Sequence, residues 1–523
     1  MTTWKRVPWS AECERLQGVY TDEVPVYRSM SAYLATPLDL LPHQRAALEA
    51  TPHIGRGAVL SVPAGGGKTL LARLVWEGLH RPRTLLLCPA SLLDQIDPVL
   101  CADDRVTEVS YERLANPASE VSFEGDPQLI LLDEAHRLSR DSVAYRLVAR
   151  IQERYGCPVV AMTGTLMRRS VRDYAHLFAL ALGDRSPLPR NNREIDLWAD
   201  ALDENVSYIN RAHLGALRDL LGSAARVECR STLYKKMAAH PQVYLPATDE
   251  VSYGSGLRVG SLEPEYILAD ISFAMLKLDH GVDPDGNPIL DNFARARLAR
   301  TLPLGWVHRP RDLQREVYTA RADWEHLVRR LMASGEALSE GRAARLSQVQ
   351  TDPVYLRWKA VRAIYRRSER PVPLAPIEHL REWYRYLLEP YREGVAIWTQ
   401  TPAIGVAVAE ALDLPYYGAD GEDLPTDGRG GVYSIQVHGT GKNLQAYDRA
   451  LVLEPPTGPA QIEQLLARLY RQGQARKVCY DFFFHDTEKW QEWLQRARDD
   501  AKVVYGSVGG ETPRILQAET QNR

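Results

Sequence analysis

The sequence predicts an α/β protein of two lobes, each a parallel sheet flanked by helices, with a mostly helical insert between them. Three observations carry this. Short, wholly apolar runs alternate with helical patterns over residues 38–190. Long Arg/Ala/Leu-rich helical segments replace that alternation over 191–388, and the alternation returns over 389–505. Apolar runs of this length fit strands buried on both faces, and strands alternating with helices imply parallel pairing through right-handed crossovers.

In the first lobe, Ala58 to Val62, Thr84 to Cys88, Leu129 to Leu132 and Val159 to Met162 read as strands, and Thr69 to Leu79 as a helix. In the insert, Ala294 to Arg300, Arg311 to Met332 and Tyr355 to Arg367 read as helices. Asp283-Pro284-Asp285-Gly286 serves there as turn punctuation. In the second lobe, Val395 to Thr399, Gly431 to Val437, Ala450 to Leu453 and Val478 to Phe484 read as strands, and Ala403 to Leu412 and Gln461 to Arg471 as helices. Residues 1–37 read as a leader or small cap, and the polar stretch 506–523 as a flexible tail.

Composition narrows the classes. A chain of 523 residues is too long for one core. No apolar stretch approaches the ~20 residues needed to span a bilayer, so the expectation is no membrane and a cytoplasmic location. The net charge of -3 does not argue against a polyanionic partner, because a basic groove suffices whatever the total. The positive charge is mostly Arg, which GC-rich coding explains more readily than phosphate recognition does. Six scattered cysteines form no Cys-x-x-Cys pattern, which argues against a zinc site and a disulfide framework.

Two segments carry chemistry. Val59-Leu60-Ser61-Val62-Pro63-Ala64-Gly65-Gly66-Gly67-Lys68-Thr69 follows a strand and opens a helix. Its glycines let backbone N–H groups turn inward on phosphate oxygens. Lys68 can reach the outer phosphates of a nucleotide, and Thr69 can place its hydroxyl on Mg²⁺. About sixty residues on, Leu129-Ile130-Leu131-Leu132-Asp133-Glu134-Ala135-His136 is an apolar strand ending in two carboxylates. There Asp133 can join the Mg²⁺ shell while Glu134 orients the attacking water. Together they predict nucleotide hydrolysis with ATP and Mg²⁺ as cofactors.

Further motifs resemble superfamily-two helicases and ATPases. Asp133-Glu134-Ala135-His136 matches that superfamily's Asp-Glu-Ala-His box, and Thr163-Gly164-Thr165 resembles its third motif. Gln464-Leu-Leu-Ala-Arg468-Leu-Tyr-Arg471-Gln-Gly473-Gln474 matches every fixed position of the sixth. The Gly-Gln ending, with His438-Gly439-Thr440-Gly441-Lys442-Asn443-Leu444-Gln445, is similar to the SWI/SNF-like branch. Leu41-Pro42-His43-Gln44-Arg45, Cys88-Pro89-Ala90-Ser91-Leu92-Leu93 and Ser110-Tyr111-Glu112-Arg113-Leu114 add support. The motifs run in the family's order from about residue 40 to 475. Leu166, where the family has proline, and Lys442, where it has an apolar residue, point to a compact bacterial or bacteriophage member.

The resemblance implies two RecA-like lobes closing on ATP. It makes Arg468 and Arg471 catalytic, three apart on one helical face, with Arg471 as the arginine that enters the nucleotide site. Gln44 and Gln464 join the nucleotide-binding set with Pro63, Ala64, Gly65, Gly66, Gly67, Lys68 and Thr69. Gln44 is the adenine reader. His136, Thr163, Gly164 and Thr165 couple the lobes. Nucleic acid would be held through its phosphates near Ser91, Ser110, Thr399, Thr440, Lys442 and Asn443, with the Arg-rich helices of 294–370 as a possible extension of the track.

The expected function is an ATP-dependent DNA translocase, remodelling or annealing rather than unwinding processively. The alternatives are a strand-separating DNA or RNA helicase and a nucleic-acid-binding regulatory module with an inactive NTPase. DNA is the expected partner ahead of RNA, replication or recombination proteins are further candidates, and the chain is expected to be a monomer in a bacterial or phage-infected cell.

Overall fold

The computed structural model describes residues 11–21, 40–51, 57–62, 66–116, 125–140, 142–164, 170–202, 211–222, 226–245, 256–290, 292–337, 340–344, 346–418, 424–425, 427–439, 444–471, 474–508 and 513–521. Strands β1 (Ala58–Ser61), β2 (Thr84–Cys88), β3 (Val106–Ser110), β4 (Leu129–Leu132), β5 (Val159–Thr163) and β6 (Val243–Tyr244) form one sheet. They lie in the order β3-β2-β4-β5-β1-β6, every pair parallel. Wholly buried runs such as Leu129–Leu132 are what a strand covered on both faces requires. β3 was not anticipated as a strand. It lies at the sheet edge, so its Thr107 and Glu108 break the apolar run.

The second sheet contains β7 (Leu257–Leu262), β10 (Val395–Thr399), β11 (Tyr416–Tyr417), β12 (Gly431–Ser434), β13 (Arg449–Val452), β14 (Val478–Phe483) and β15 (Glu519–Gln521). Its order is β11-β12-β10-β13-β14-β7-β15, again all parallel. Two α/β lobes are therefore present. A small antiparallel pair, β8 (Trp306–Pro310) with β9 (Glu369–Pro373), belongs to the insert. Beside it, helices Arg315–Ala333 and Pro353–Ser368 pack through Trp324, Tyr355 and Trp358.

Three expected boundaries change. The described residues of 191–245, placed above in the insert, build the first lobe: Ile195, Trp198, Leu217, Leu233 and Met237 share its core, and β6 extends its sheet. Residues 257–262 enter the second sheet as β7, long before 389. The two crossings are invisible in sequence because β6 has two residues and β7 contains Arg258 and Gly260. The stretch 506–523 is not simply a tail: β15 pairs with β7, and Ile515 is 3% exposed. At the other end, helix Ala11–Thr21 docks on the first lobe, where Arg15 donates to the carbonyls of Ser186 and Leu188.

Among the described residues, no helix is long and apolar enough to cross a membrane.

Candidate nucleotide site

The carboxyl ends of β1, β4 and β5 open side by side, the place where an open parallel sheet binds ligands. Helix Lys68–Gly78 starts one residue after Gly67, whose φ of 82° is left-handed. That backbone favours glycine, and a Cβ there would also meet the Gln44 Nε2 at 2.4 Å and push it off the turn. Lys68 is thereby aimed back across the strand ends from the helix's first position, with Thr69 beside it. Pro63, Ala64 and Gly65 lie outside the described residues.

Gln44 packs against this turn. Its Nε2 donates to the Gly66 carbonyl at 3.0 Å, and its Oε1 accepts from the Leu41 N–H at 3.1 Å. His43 Nε2 also reaches Gly66 O, at 2.9 Å. The Gln44 amide keeps one N–H and one lone pair for a base edge. Its visible work is to hold the loop.

Asp133 and Glu134 follow β4. Glu134 has a φ of 48°, a left-handed backbone that costs a non-glycine residue of order 1–3 kcal/mol and recurs at functional sites. Its N–H donates to Asp133 Oδ1 at 2.8 Å, and the Tyr111 hydroxyl donates to the Asp133 carbonyl at 2.8 Å. Glu134 Oε1 lies 3.0 Å from Lys68 Nζ, and its Oε2 lies 3.3 Å from His136 Nδ1. Burial pushes the Glu134 carboxyl up, but Lys68 and His136 outweigh it and hold the group below the usual carboxylate range. Burial and then the Glu134 charge push Asp133 the other way, above its ordinary value. A carboxylate fixed in its ionised form beside a lysine is suited to orienting water. A neighbour that resists ionising alone is suited to a site where a cation arrives.

The second lobe completes the cleft. His136 Nδ1 lies 2.9 Å from Thr163 Oγ1, and its Nε2 lies 3.3 Å from Gln464 Nε2. Because the Gln464 amide nitrogen can only donate, Nε2 of His136 accepts and Nδ1 carries the proton toward Thr163 and Glu134. Gln464 lies in helix Pro459–Leu466, and its carbonyl accepts from Arg468 Nε at 2.9 Å. Arg468 is 3% exposed. Burial and the nearby Arg471 depress its pKa to about 10 while the Glu134 charge raises it, so it remains a cation at neutral pH that senses the carboxylate across the cleft.

One expectation fails locally. The helix ends at Leu466 rather than running to Arg471, so Arg468 and Arg471 sit in the turns that follow and share no helical face. Gln474, 7% exposed, explains how those turns hold: its Nε2 donates to the carbonyls of Gln445, Tyr447 and Leu469.

The structure thus brings together Lys68, Asp133, Glu134, His136, Thr163, Gln464 and Arg468. Thr69 and Gly164 stand at the edge of the same opening as half-buried residues. Two expected nucleic-acid contacts are internal instead. Ser110 is 4% exposed and caps helix Tyr111–Ala115 by accepting from Arg113 N–H at 3.0 Å, and Thr399 is 0% exposed at the end of β10. Neither hydroxyl faces a phosphate backbone from solvent. Thr165, Thr440, Lys442 and Asn443 lie outside the described residues, and Ser91 falls in the turn Ala90–Gln95. That turn is pinned by Glu112, whose Oε2 accepts from the Ala90 N–H at 3.0 Å.

Thr69 and Asp133 are the residues suited to a magnesium ion, which takes one or two protein oxygens and the rest from phosphate and water. Sequence reasoning missed the roles of His43 and Tyr111. Both stood inside recognised motifs, but nothing in the sequence separates a ring that holds the loop from one that packs.

No family model matches the sequence, and neither does any curated protein. Among solved structures, the chain aligns with the SWI2/SNF2 ATPase core of Sulfolobus solfataricus in complex with double-stranded DNA, at 14% identity over 93% of this chain and 96% of that one, with a TM-score of 0.28. The two-lobed fold is seen in this chain's own two parallel sheets.

Proposed function

We propose that the protein is an ATP-dependent DNA translocase that hydrolyses ATP between its lobes, remodelling or annealing nucleic acid rather than unwinding it processively. The observation that carries the hydrolytic part is the meeting of Lys68, Glu134 and His136 with Gln464 and Arg468 in one cleft. Two lobes contributing to one charged, buried site is the arrangement a closure-driven ATPase needs. The nucleic-acid part rests on the motifs quoted from the sequence, through Ser91, Thr440, Lys442 and Asn443.

In this reading the backbone of 63–67 cradles the phosphates, and Lys68 exchanges Glu134 for the phosphate oxygens. A magnesium ion held by Thr69 and Asp133 supplies charge neutralisation when bound. Glu134, freed from Lys68, orients the attacking water. Arg471, with Arg468 behind it, meets the negative charge that develops on the transferring group. His136 passes the state of the site to Thr163 on one side and to Gln464 on the other. The chain works as a cytoplasmic monomer on duplex or single-stranded DNA, and replication or recombination proteins are candidate partners.

ATP hydrolysis measured without polymer, with single-stranded DNA, with duplex DNA and with RNA tests this, using Glu134→Gln as the blank. Stimulation by duplex without strand displacement is the expected result. Displacement of a strand from a tailed duplex would replace the reading with that of a helicase. Equal rates with and without polymer would remove nucleic acid from the function.

A further inference from the structure

An ion pair between a buried arginine and a part-exposed glutamate, outside the cleft, ties the segment 513–521 to the element that carries Gln464 and Arg468. Arg514 is 1% exposed. Its Nη1 donates to Glu463 Oε1 at 2.5 Å, and its backbone N–H donates to Glu463 Oε2 at 2.8 Å. Its Nε donates to the Tyr470 carbonyl at 2.9 Å. Glu463 immediately precedes Gln464, and Tyr470 immediately precedes Arg471. One guanidinium therefore clasps both ends of the stretch on which the second lobe's catalytic candidates lie.

The surroundings make this clasp more than a local contact. Helix Pro459–Leu466 has eight residues, too few to hold its shape without tertiary support. That support comes partly from Ile515 and Ala518, which sit in the same apolar cluster as Leu465, Leu466 and Leu469. Arg498 Nη2 donates to the Ala518 carbonyl at 3.0 Å, and β15 then joins β7 at the sheet edge. A planar guanidinium that bonds the Glu463 carboxylate through Nη1 and the Tyr470 carbonyl through Nε holds both partners in a fixed relative direction, which a single ammonium cannot do.

We propose that Arg514 is a positioning residue for ATP hydrolysis, setting through Glu463 and Tyr470 the turn that presents Arg468 and Arg471 to the nucleotide. This rests on the ATPase reading above. Arg514 acts through the backbone and carboxylate it holds, at Tyr470 and Glu463. It acts on a barrier rather than on binding, because the phosphate loop that would hold ATP belongs to the other lobe. Its loss should therefore lower kcat and leave nucleotide affinity alone, a split that a merely structural residue does not produce.

The test uses the full chain. Steady-state ATP hydrolysis with DNA present and affinity for a fluorescent ATP analogue are measured for the wild type, Arg514→Ala, Arg514→Lys and Glu463→Gln. Displacing a catalytic group by about an ångström costs up to roughly a hundredfold, so Arg514→Ala should lose about ten- to a hundredfold in kcat with affinity within about twofold. Arg514→Lys, which keeps the charge but loses the fork, should fall between that variant and wild type, and Glu463→Gln should fall in the same direction. The Glu463 side chain is 22% exposed, so Glu463→Gln decides the matter if Arg514→Ala fails to fold. Wild-type kcat in both Arg514→Lys and Glu463→Gln overturns the proposal, as does a parallel fall of kcat and affinity. A wild-type chain that hydrolyses no ATP overturns the ATPase reading itself, and this inference with it.

Discussion

The two lobes contribute to the cleft by different physical routes. The first lobe presents Asp133, Glu134 and Thr163 from the ends of buried parallel strands, where backbone pairing fixes each origin, and Lys68 from the first position of helix Lys68–Gly78. The second lobe presents Gln464 from a short helix and Arg468 from the turns beyond it, held by side chains: Gln474 from within and Arg514 from a distant segment. One half of the site is thus built into a sheet, and the other depends on side-chain hydrogen bonds. The proposed closure of the lobes on ATP would draw on that asymmetry, because ligand-linked motion uses the less rigid elements.

The comparison is tested most severely by the arginines. Arg471→Ala is expected to lower kcat by about 10³- to 10⁵-fold, the range for an arginine acting on phosphoryl-transfer charge, with nucleotide affinity nearly intact. Arg468→Ala should cost activity and stability together, because Arg468 is 3% exposed and cannot be removed without leaving a void. If denaturant titration found the Arg471 variant the less stable of the two, the assignment of roles would be reversed.

Glu134→Gln comes next, with a loss of about 10²- to 10⁴-fold in kcat, the range for a positioned acid–base group. Its effect on binding has the opposite sign. The 3.0 Å pair with Lys68 competes with phosphate for the lysine, so removing the Glu134 charge should tighten ATP binding as hydrolysis fails. Calorimetry on the Gln variant that found weaker binding would show that the pair does not restrain the empty site.

Gln464→Ala should give a smaller effect, about fivefold on the DNA-stimulated rate, the worth of one hydrogen bond of roughly 1 kcal/mol. The unstimulated rate should hardly move, since His136 keeps Thr163 and Glu134 as partners. Equal losses in both rates would place Gln464 in the chemistry and not in communication between lobes.

The same asymmetry explains what could be read from the sequence. β2, β4 and β10 were found at their observed limits because a fully buried strand is an unbroken apolar run. Lys68, Asp133 and Glu134 could be placed together because strand ends in a parallel sheet converge without further information. The clasp of Arg514 on Glu463 lay hidden, since the partners are far apart in sequence and an Arg in a polar stretch has no distinguishing mark. The helix end at Leu466 was also missed: Ala467-Arg468-Leu469-Tyr470 has good helix formers, and tertiary contacts overrode that preference.

Acid should separate the lobes by sign, in stability and not in rate. In the first lobe, His240 is 4% exposed, and burial lowers its pKa to about 4 from an ordinary value of 6.5. Its Nδ1 accepts from the Gln242 N–H, a bond that needs the neutral ring. Between pH 6.5 and about 4 the unfolded chain binds a proton that the folded chain refuses, so this contribution to stability is lost as pH falls through that window. In the second lobe, Glu454 is 1% exposed and accepts from the N–H groups of Gln400 and Thr401. Burial raises its pKa, so its term runs the other way and weakens the fold as pH rises. His240→Gln removes only the first term. At pH 5 the difference amounts to about 2 kcal/mol, from 1.36 kcal/mol per unit. Urea unfolding at pH 7 and pH 5 should therefore show the variant losing about that much less stability than wild type on acidification. Equal losses would mean that the His240 ring is solvated in the folded chain, and the acid sensitivity of the first lobe would then have to come from its carboxylates.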